Sequence, residues 1–254
     1  MKTLDYNKIE YWKKNKFNFD IGKYFNESIE LFSNNWGNFV IYSFIASLLF
    51  LISYVTIIGP FIIMFPLLMG FLIGAERVDS KKNLVFNDFF GGFKNLGTFF
   101  LFNLSILFIY FIIMTPLFLF SFFPLFFGES ENNHAGLIIG STIIMFILMS
   151  VLMIFLFIFL ISIYLAPYLI YYGNLGVKDA IKTSIAITKN NFWWILLLVI
   201  ITSFISSIGM IICYLGIFIT FPISYIFTYF VLKDIILTDD EKLSEIDTLG
   251  TNKI

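Results

Sequence analysis

Residues 191–232 read NFWWILLLVIITSFISSIGMIICYLGIFITFPISYIFTYFVL, with no Asp, Glu, Lys, Arg or His among them. A helix needs about 20 apolar residues to cross a hydrocarbon core. The stretch therefore holds two crossings, Phe192–Ile212 and Leu215–Leu232, joined by a tight turn near Gly209–Gly216. The same reading finds four earlier spans: Phe39–Ile58, Phe61 to about Ala75, Thr98–Phe127 and Gly136–Tyr172. Gly59-Pro60 turns the chain between the first two. The second is short and interrupted by Pro66 and Gly70. The third and fourth exceed one crossing, and Pro116, Pro124 and Pro167 are expected to kink or end them. Splitting Gly136–Tyr172 into two crossings would need about 40 residues and a polar turn. The fold expected is an all-α, polytopic transmembrane bundle of six spans.

Composition excludes a soluble domain. The 254 residues are 59% hydrophobic and 13% charged, with mean hydropathy +0.91. The 16 Lys and Arg residues all fall on one side of the six-span pattern. They cluster before the first span (Lys2 to Lys23), between the second and third (Arg77 to Lys94), between the fourth and fifth (Lys178 to Lys189), and after the sixth (Lys233 onward). Short loops rich in Lys and Arg stay in the cytoplasm, so both termini are expected there, in a cell (inner) membrane. The N-terminal stretch lacks the short basic and apolar regions of a cleaved signal, so insertion by the first span is expected. Residues 1–37 then form a cytoplasmic segment with an amphipathic helix, 38–233 the membrane domain, and 234–254 an acidic, disordered tail. The basic residues are interleaved with acids, so no nucleic-acid face forms. Membrane lipids and other membrane proteins are the expected partners.

The chain repeats a pattern three times: an amphipathic stretch, an Asn- or aromatic-rich junction, then two spans. The first stretch places Phe25, Ile29 and Phe32 at helical spacing before Asn34-Asn35-Trp36. The third places Ala180, Ile181, Ser184 and Ile185 before Asn190-Asn191-Phe192-Trp193-Trp194. The middle copy, Val85, Phe89 and Phe93 before Asn95-Leu96-Gly97, matches more loosely. Each pair ends on a proline-broken helix, at Pro66, Pro167 and Pro222. Trp36 precedes Pro66 by 30 positions and Trp193 precedes Pro222 by 29. Repeats and broken helices line substrate sites in transporter folds, so the prolines are candidate cavity positions.

The spans carry no ionisable side chain, which argues against a proton relay or a charge-selective pore. Weakly polar candidates remain: Ser43, Ser47, Ser53 and Thr56 in the first span, and Asn103 and Ser105 in the third. Thr202, Ser203, Ser206 and Ser207 in the fifth are further candidates, and Ser203-x-x-Ser206-Ser207-x-Gly209 is the densest small-residue cluster, read as a tight helix crossing. Asn103 is read as a helix contact or cavity residue. His134, with Glu129 and Glu131, reads as a solvated outer turn rather than a metal site, and no metal or cofactor is expected. The single cysteine, Cys213, permits no intramolecular disulfide. Trp36, Trp193, Trp194 and Tyr164, Tyr168, Tyr171 and Tyr172 read as interfacial belt residues. No phosphate loop, His-Glu-x-x-His or Gly-x-Ser-x-Gly occurs, so no enzyme activity is expected.

The amphipathic stretch, Lys-Asn-Asn-Phe-Trp-Trp at 189–194, the turn near Cys213–Gly216 and Thr220-Phe-Pro222 together resemble a broad group of bacterial membrane proteins. That group includes the YciC-like proteins and the membrane domain of some glycerophosphodiester phosphodiesterases. Phe86-x-Asp88-Phe89-Phe90-x-Gly92-Phe93 looks like the loop motif of related six-span families. The resemblance brings no active site, and phosphodiesterase activity is not expected from it. The bias to Lys, Ile, Asn and Phe suggests an AT-rich bacterial genome. The expected role is non-enzymatic, through lipid or protein contacts (accessory, stress or immunity-type). An uncoupled transporter of an uncharged or amphiphilic solute is the alternative.

Overall fold

The computed structural model describes residues 2–121, 135–211 and 215–238, which are almost wholly helical. In chain order these form α1 (Tyr6–Lys14), α2 (Ile21–Ser53), α3 (Gly59–Asp79), a 3-10 helix (Phe86–Asn95) and α4 (Leu96–Ser121). There follow α5 (Ala135–Ser162), α6 (Ala166–Gly173), α7 (Val177–Ile211) and α8 (Ile217–Ile235). Six segments are long and apolar enough to cross a membrane: α2, α3, the 3-10 helix with α4, α5 with α6, α7, and α8. The chain is a multi-pass membrane protein of the architecture expected.

The first and third copies of the repeat fold alike. α2 and α7 each join an amphipathic first half to an apolar second half through one non-helical residue. These residues are Asn35 (φ −135°, ψ 17°) and Asn191 (φ −123°, ψ 22°), the second Asn of each Asn-Asn pair. The inward face of the first stretch differs from the expected one. Tyr24, Ser28, Leu31 and Phe32 are buried, while Phe25 and Ile29 are exposed. In α7 the expected Ala180 and Ser184 do face inward, joined by Ile187 and Thr188, while Ile185 faces outward. At an interface a helix has two apolar environments, the bundle and the lipid, so an apolar stripe alone does not identify its core face.

The middle copy departs further, being a 3-10 helix rather than an α-helix. Its inward residues, Phe89 and Gly92, lie three positions apart, as the 3-10 period requires. A Cβ at Gly92 would strike the Pro66 carbonyl, so only glycine lets this segment lie against α3. The Phe89 ring stacks on Tyr42 with centroids 4.5 Å apart and meets Phe39 edge-on at 5.5 Å.

The three prolines act differently from one another. α3 and α8 run continuously through Pro66 and Pro222, and α4 continues through Pro116. The break expected at every copy occurs at one place, between α5 and α6, with Pro167 in the first turn of α6. There the Ala166 amide bonds the Ile163 carbonyl at 2.9 Å, leaving the Ser162 carbonyl without its helical donor. The hydroxyls of Ser184 (2.8 Å) and Thr188 (3.4 Å) on α7 donate to it instead. A proline break survives in a membrane only where a neighbour takes up the freed group.

Burial is uneven along the spans. Buried residues are densest in α3 from Pro66 to Glu76, in α6, and in α8 from Pro222 to Ile235. The halves of α2, α4, α5 and α7 distant from the charged end expose Ile52, Phe108, Phe111, Phe146 and Phe204. Lipid is as apolar as these side chains, so close packing rather than expulsion from water holds the buried segments together.

Candidate functional site

Within the apolar layer, an open cleft of about 260 Å³ lies between α2, α3 and α8. Its wall includes Ser43 and Ser47 of α2, Leu67 and Phe71 of α3, and Phe221 and Tyr225 of α8. Ser43 is buried, yet its hydroxyl and that of Tyr225 make no hydrogen bond among the described residues. Ser47 is committed to the Ser43 carbonyl at 2.8 Å. The cleft is therefore an apolar slot with two unused hydroxyl groups, suited to an uncharged chain and unsuited to an ion.

The residues singled out from the sequence divide around this cleft. Asn103 is buried and donates to the Phe61 carbonyl at 2.5 Å, joining α4 to α3 in the turn before Pro66. Ser206 faces α8, where its hydroxyl meets that of Ser224 at 2.9 Å and its carbonyl accepts from Thr220 at 3.2 Å. Ser203 and Ser207 point away from the bundle, and the Ser207 hydroxyl returns to the Ser203 carbonyl at 2.7 Å. Within the expected crossing cluster the close approach is made by Ser206 and by Gly209, where any Cβ would overlap Gly216 main chain and the Thr220 hydroxyl. Ser53, Thr56, Ser105 and Thr202 bond carbonyls three or four residues back in the chain. Pro66, Pro167 and Pro222 are not gathered into one cavity; Pro66 and Pro222 each adjoin the cleft in sequence, beside Leu67 and Phe221, and Pro167 belongs to the α5–α6 break. His134, Glu129, Glu131, Cys213 and the 239–241 acidic run lie outside the described residues.

A charged cluster just beyond the span boundary was not anticipated. Hydropathy ends the second span at about Ala75, and the cluster begins one residue on, at Glu76. Asp79 accepts from Lys233 at 2.8 and 2.7 Å and from the Tyr229 hydroxyl at 2.7 Å, with the Lys2 ammonium 3.6 Å away. The Lys2 amide donates to Glu76, and Lys2 is only 1% exposed. The segment before α1 is tied to the end of α8: Leu4 bridges Leu237, and the Asp5 amide donates to the Ile236 carbonyl at 2.8 Å. Asp5 also caps α1, accepting from the Asn7 amide at 2.9 Å. Lys8 adds bonds to the carbonyls of Lys233 (3.2 Å) and Leu237 (2.9 Å).

The aromatic belt also needs revising. Trp36 and Trp193 are exposed as expected, whereas Tyr168, Tyr171 and Tyr172 are core residues of α6. Trp194 turns inward and meets Phe19 edge-on at 5.2 Å. α6 is short and enclosed by α3, α4, α7 and the 3-10 helix, so its tyrosines have no lipid-facing side. Set against family models, curated proteins and solved structures, the chain matches none of them.

Proposed function

We propose that this chain is a non-enzymatic protein of the bacterial cytoplasmic membrane, with both termini inside the cell, acting through contacts with lipid or other membrane proteins. An accessory, stress or immunity-type role fits that reading, as does kinship with the YciC-like group through its interfacial motifs. The observation that carries it is the cleft between α2, α3 and α8, which offers apolar wall and two free hydroxyls but no charged group. The test is purification from native membrane with its lipid annulus, followed by lipid and protein analysis of wild type and an Ala46→Phe variant that fills the cleft. A lipid or partner enriched with wild type and lost with the variant supports the proposal. Recovery of the wild-type protein alone, with bulk lipid composition, sinks it.

The same cleft favours a second reading, uncoupled passage of an uncharged or amphiphilic solute. Asn103 and Ser206, spent on helix contacts, add no polar path to it. Solute flux across proteoliposomes, abolished by Ala46→Phe, separates this reading from the first.

A further inference from the structure

α3 presents a second, different surface. Positions 64, 67, 68 and 71 face the apolar cleft, while Ile73, Glu76 and Arg77 project from the opposite side of the helix. Between that side and the 3-10 helix lies a pocket of about 540 Å³ at the charged end of the bundle. Phe90 and Phe93 supply apolar wall, and Arg77, Asn87 and Lys94 supply donors.

The hydrogen-bonding state of the lining decides what fits. Asp88 is committed on both oxygens, one to Arg77 at 3.0 Å and the other to the Val85 amide at 3.0 Å. Glu76 receives the Lys2 amide. Lys94 and Asn87, by contrast, make no hydrogen bond or ion pair among the described residues, and Arg77 uses one nitrogen on Asp88. Asp88 is spent on both oxygens, whereas the Lys94 ammonium and the remaining Arg77 N–H groups are cationic donors in reach of the pocket, so the complementary ligand is an anion with several acceptor oxygens. Lys94 stands two residues before α4 enters its apolar run at Leu96, and Phe90, Phe93 and Tyr171 give the wall an aromatic side. Inorganic phosphate leaves that apolar wall uncovered; a phosphate carrying glycerol and acyl chains covers it.

We infer that this pocket binds the phosphate of a phospholipid headgroup, through Lys94, Asn87 and the outer nitrogens of Arg77, with its glycerol region against Phe90 and Phe93. The inference deepens the lipid-contact reading but uses none of the cleft, so Ala46→Phe leaves it untouched. Two cations and two acids line the pocket, so long-range attraction is small and the contact is made by directed donors.

The test is native mass spectrometry of delipidated protein titrated with dioleoyl phosphatidylglycerol, dioleoyl phosphatidylethanolamine and dioleoylglycerol, the last lacking phosphate. Lys94→Ala with Asn87→Ala should weaken the tightest phospholipid by roughly fivefold to twentyfold and leave dioleoylglycerol unchanged. Gly91→Leu provides an independent arm. Its side chain enters the pocket past the Ile73 Cδ1, 3.1 Å from the ideal Cβ, and removes no charge. It should weaken both phospholipids alike, and it decides the matter should the double variant fail to fold. Equal phospholipid affinity in wild type and Gly91→Leu overturns the proposal. So does saturation of the site by millimolar inorganic phosphate with no preference for lipid.

Discussion

The Tyr42 hydroxyl occupies the space that a side chain at Gly70 would fill, and from there it donates to the Leu67 carbonyl at 2.7 Å. A tyrosine on α2 and a glycine on α3 thereby set how closely the two helices approach beside the 3-10 helix. Gly70→Val should cost about 1–3 kcal/mol or more, because the Phe89 carbonyl confines the same space. Tyr42→Phe should cost about 1 kcal/mol. In thermal unfolding at fixed detergent and lipid, Gly70→Ala combined with Tyr42→Phe should lose less than the two single changes summed, since the clashing hydroxyl is gone. Strict additivity would contradict the contact.

Asn191 is the more heavily used of the two kink residues. Its amide nitrogen lies 2.9 Å from the Trp12 carbonyl, 3.1 Å from that of Asn15 and 3.1 Å from that of Ile187. Its side-chain oxygen accepts from the Phe17 amide at 2.7 Å. Asn35 makes one bond, to the Leu31 carbonyl at 3.3 Å. Asn191→Ala should destabilise by about 2–4 kcal/mol and speed trypsin cleavage near Lys14 and Lys16, while Asn35→Ala costs about 1 kcal/mol or less. Equal effects at both kinks would refute the asymmetry.

Asp79→Ala removes the carboxylate shared by Lys233, Tyr229 and Lys2 in a half-buried site, an expected loss of about 3–5 kcal/mol. Lys23 pairs with Asp234 at 3.7 Å at the surface, so Lys23→Ala should leave the Tm unchanged. A ranking in the other order would mean that Asp79 is not the hub of the cluster.

The serine cluster of α7 makes a side-specific prediction. Ser203→Leu and Ser207→Leu point away from the bundle and should stay within about 0.5 kcal/mol of wild type. Ser206→Leu and Gly209→Leu intrude between α7 and α8 and should each cost about 1–3 kcal/mol. Unfolding curves of the four variants read this directly.

Threading across the membrane is tested by single cysteines in a Cys213→Ser background. Cysteine at Asn132 should react with an impermeant maleimide on intact cells, and cysteine at Lys81 only after permeabilisation. The opposite pattern reverses the orientation.

Six spans were legible because hydropathy is local: each run of apolar residues announces itself. The junction residues Asn35 and Asn191 were legible too, through the matched spacing of two copies. What hydropathy does not carry is partnership. Lys2 and Glu76 are 74 positions apart, and nothing in either neighbourhood announces the other. Tyr171 and Tyr172 sit where belt residues belong, and only the enclosure of α6 makes them core. Ser203 and Ser206 look equivalent in the chain and differ by which side of α7 they occupy. Pro66, Pro167 and Pro222 look alike as breaks, but of these three only Pro167 sits where the main chain departs from the helix.

The uneven burial of the spans has a mechanical consequence. One end of the molecule is clamped by Asp79, Lys233 and the strap from Lys2 to Phe17. At the other end α7 and α8 still meet closely, but α4 and α5 expose residues such as Phe111 and Phe146 to acyl chains. Thinning the bilayer or stripping its lipid should splay the lipid-exposed halves of α4 and α5 first, with the clamped end acting as the pivot.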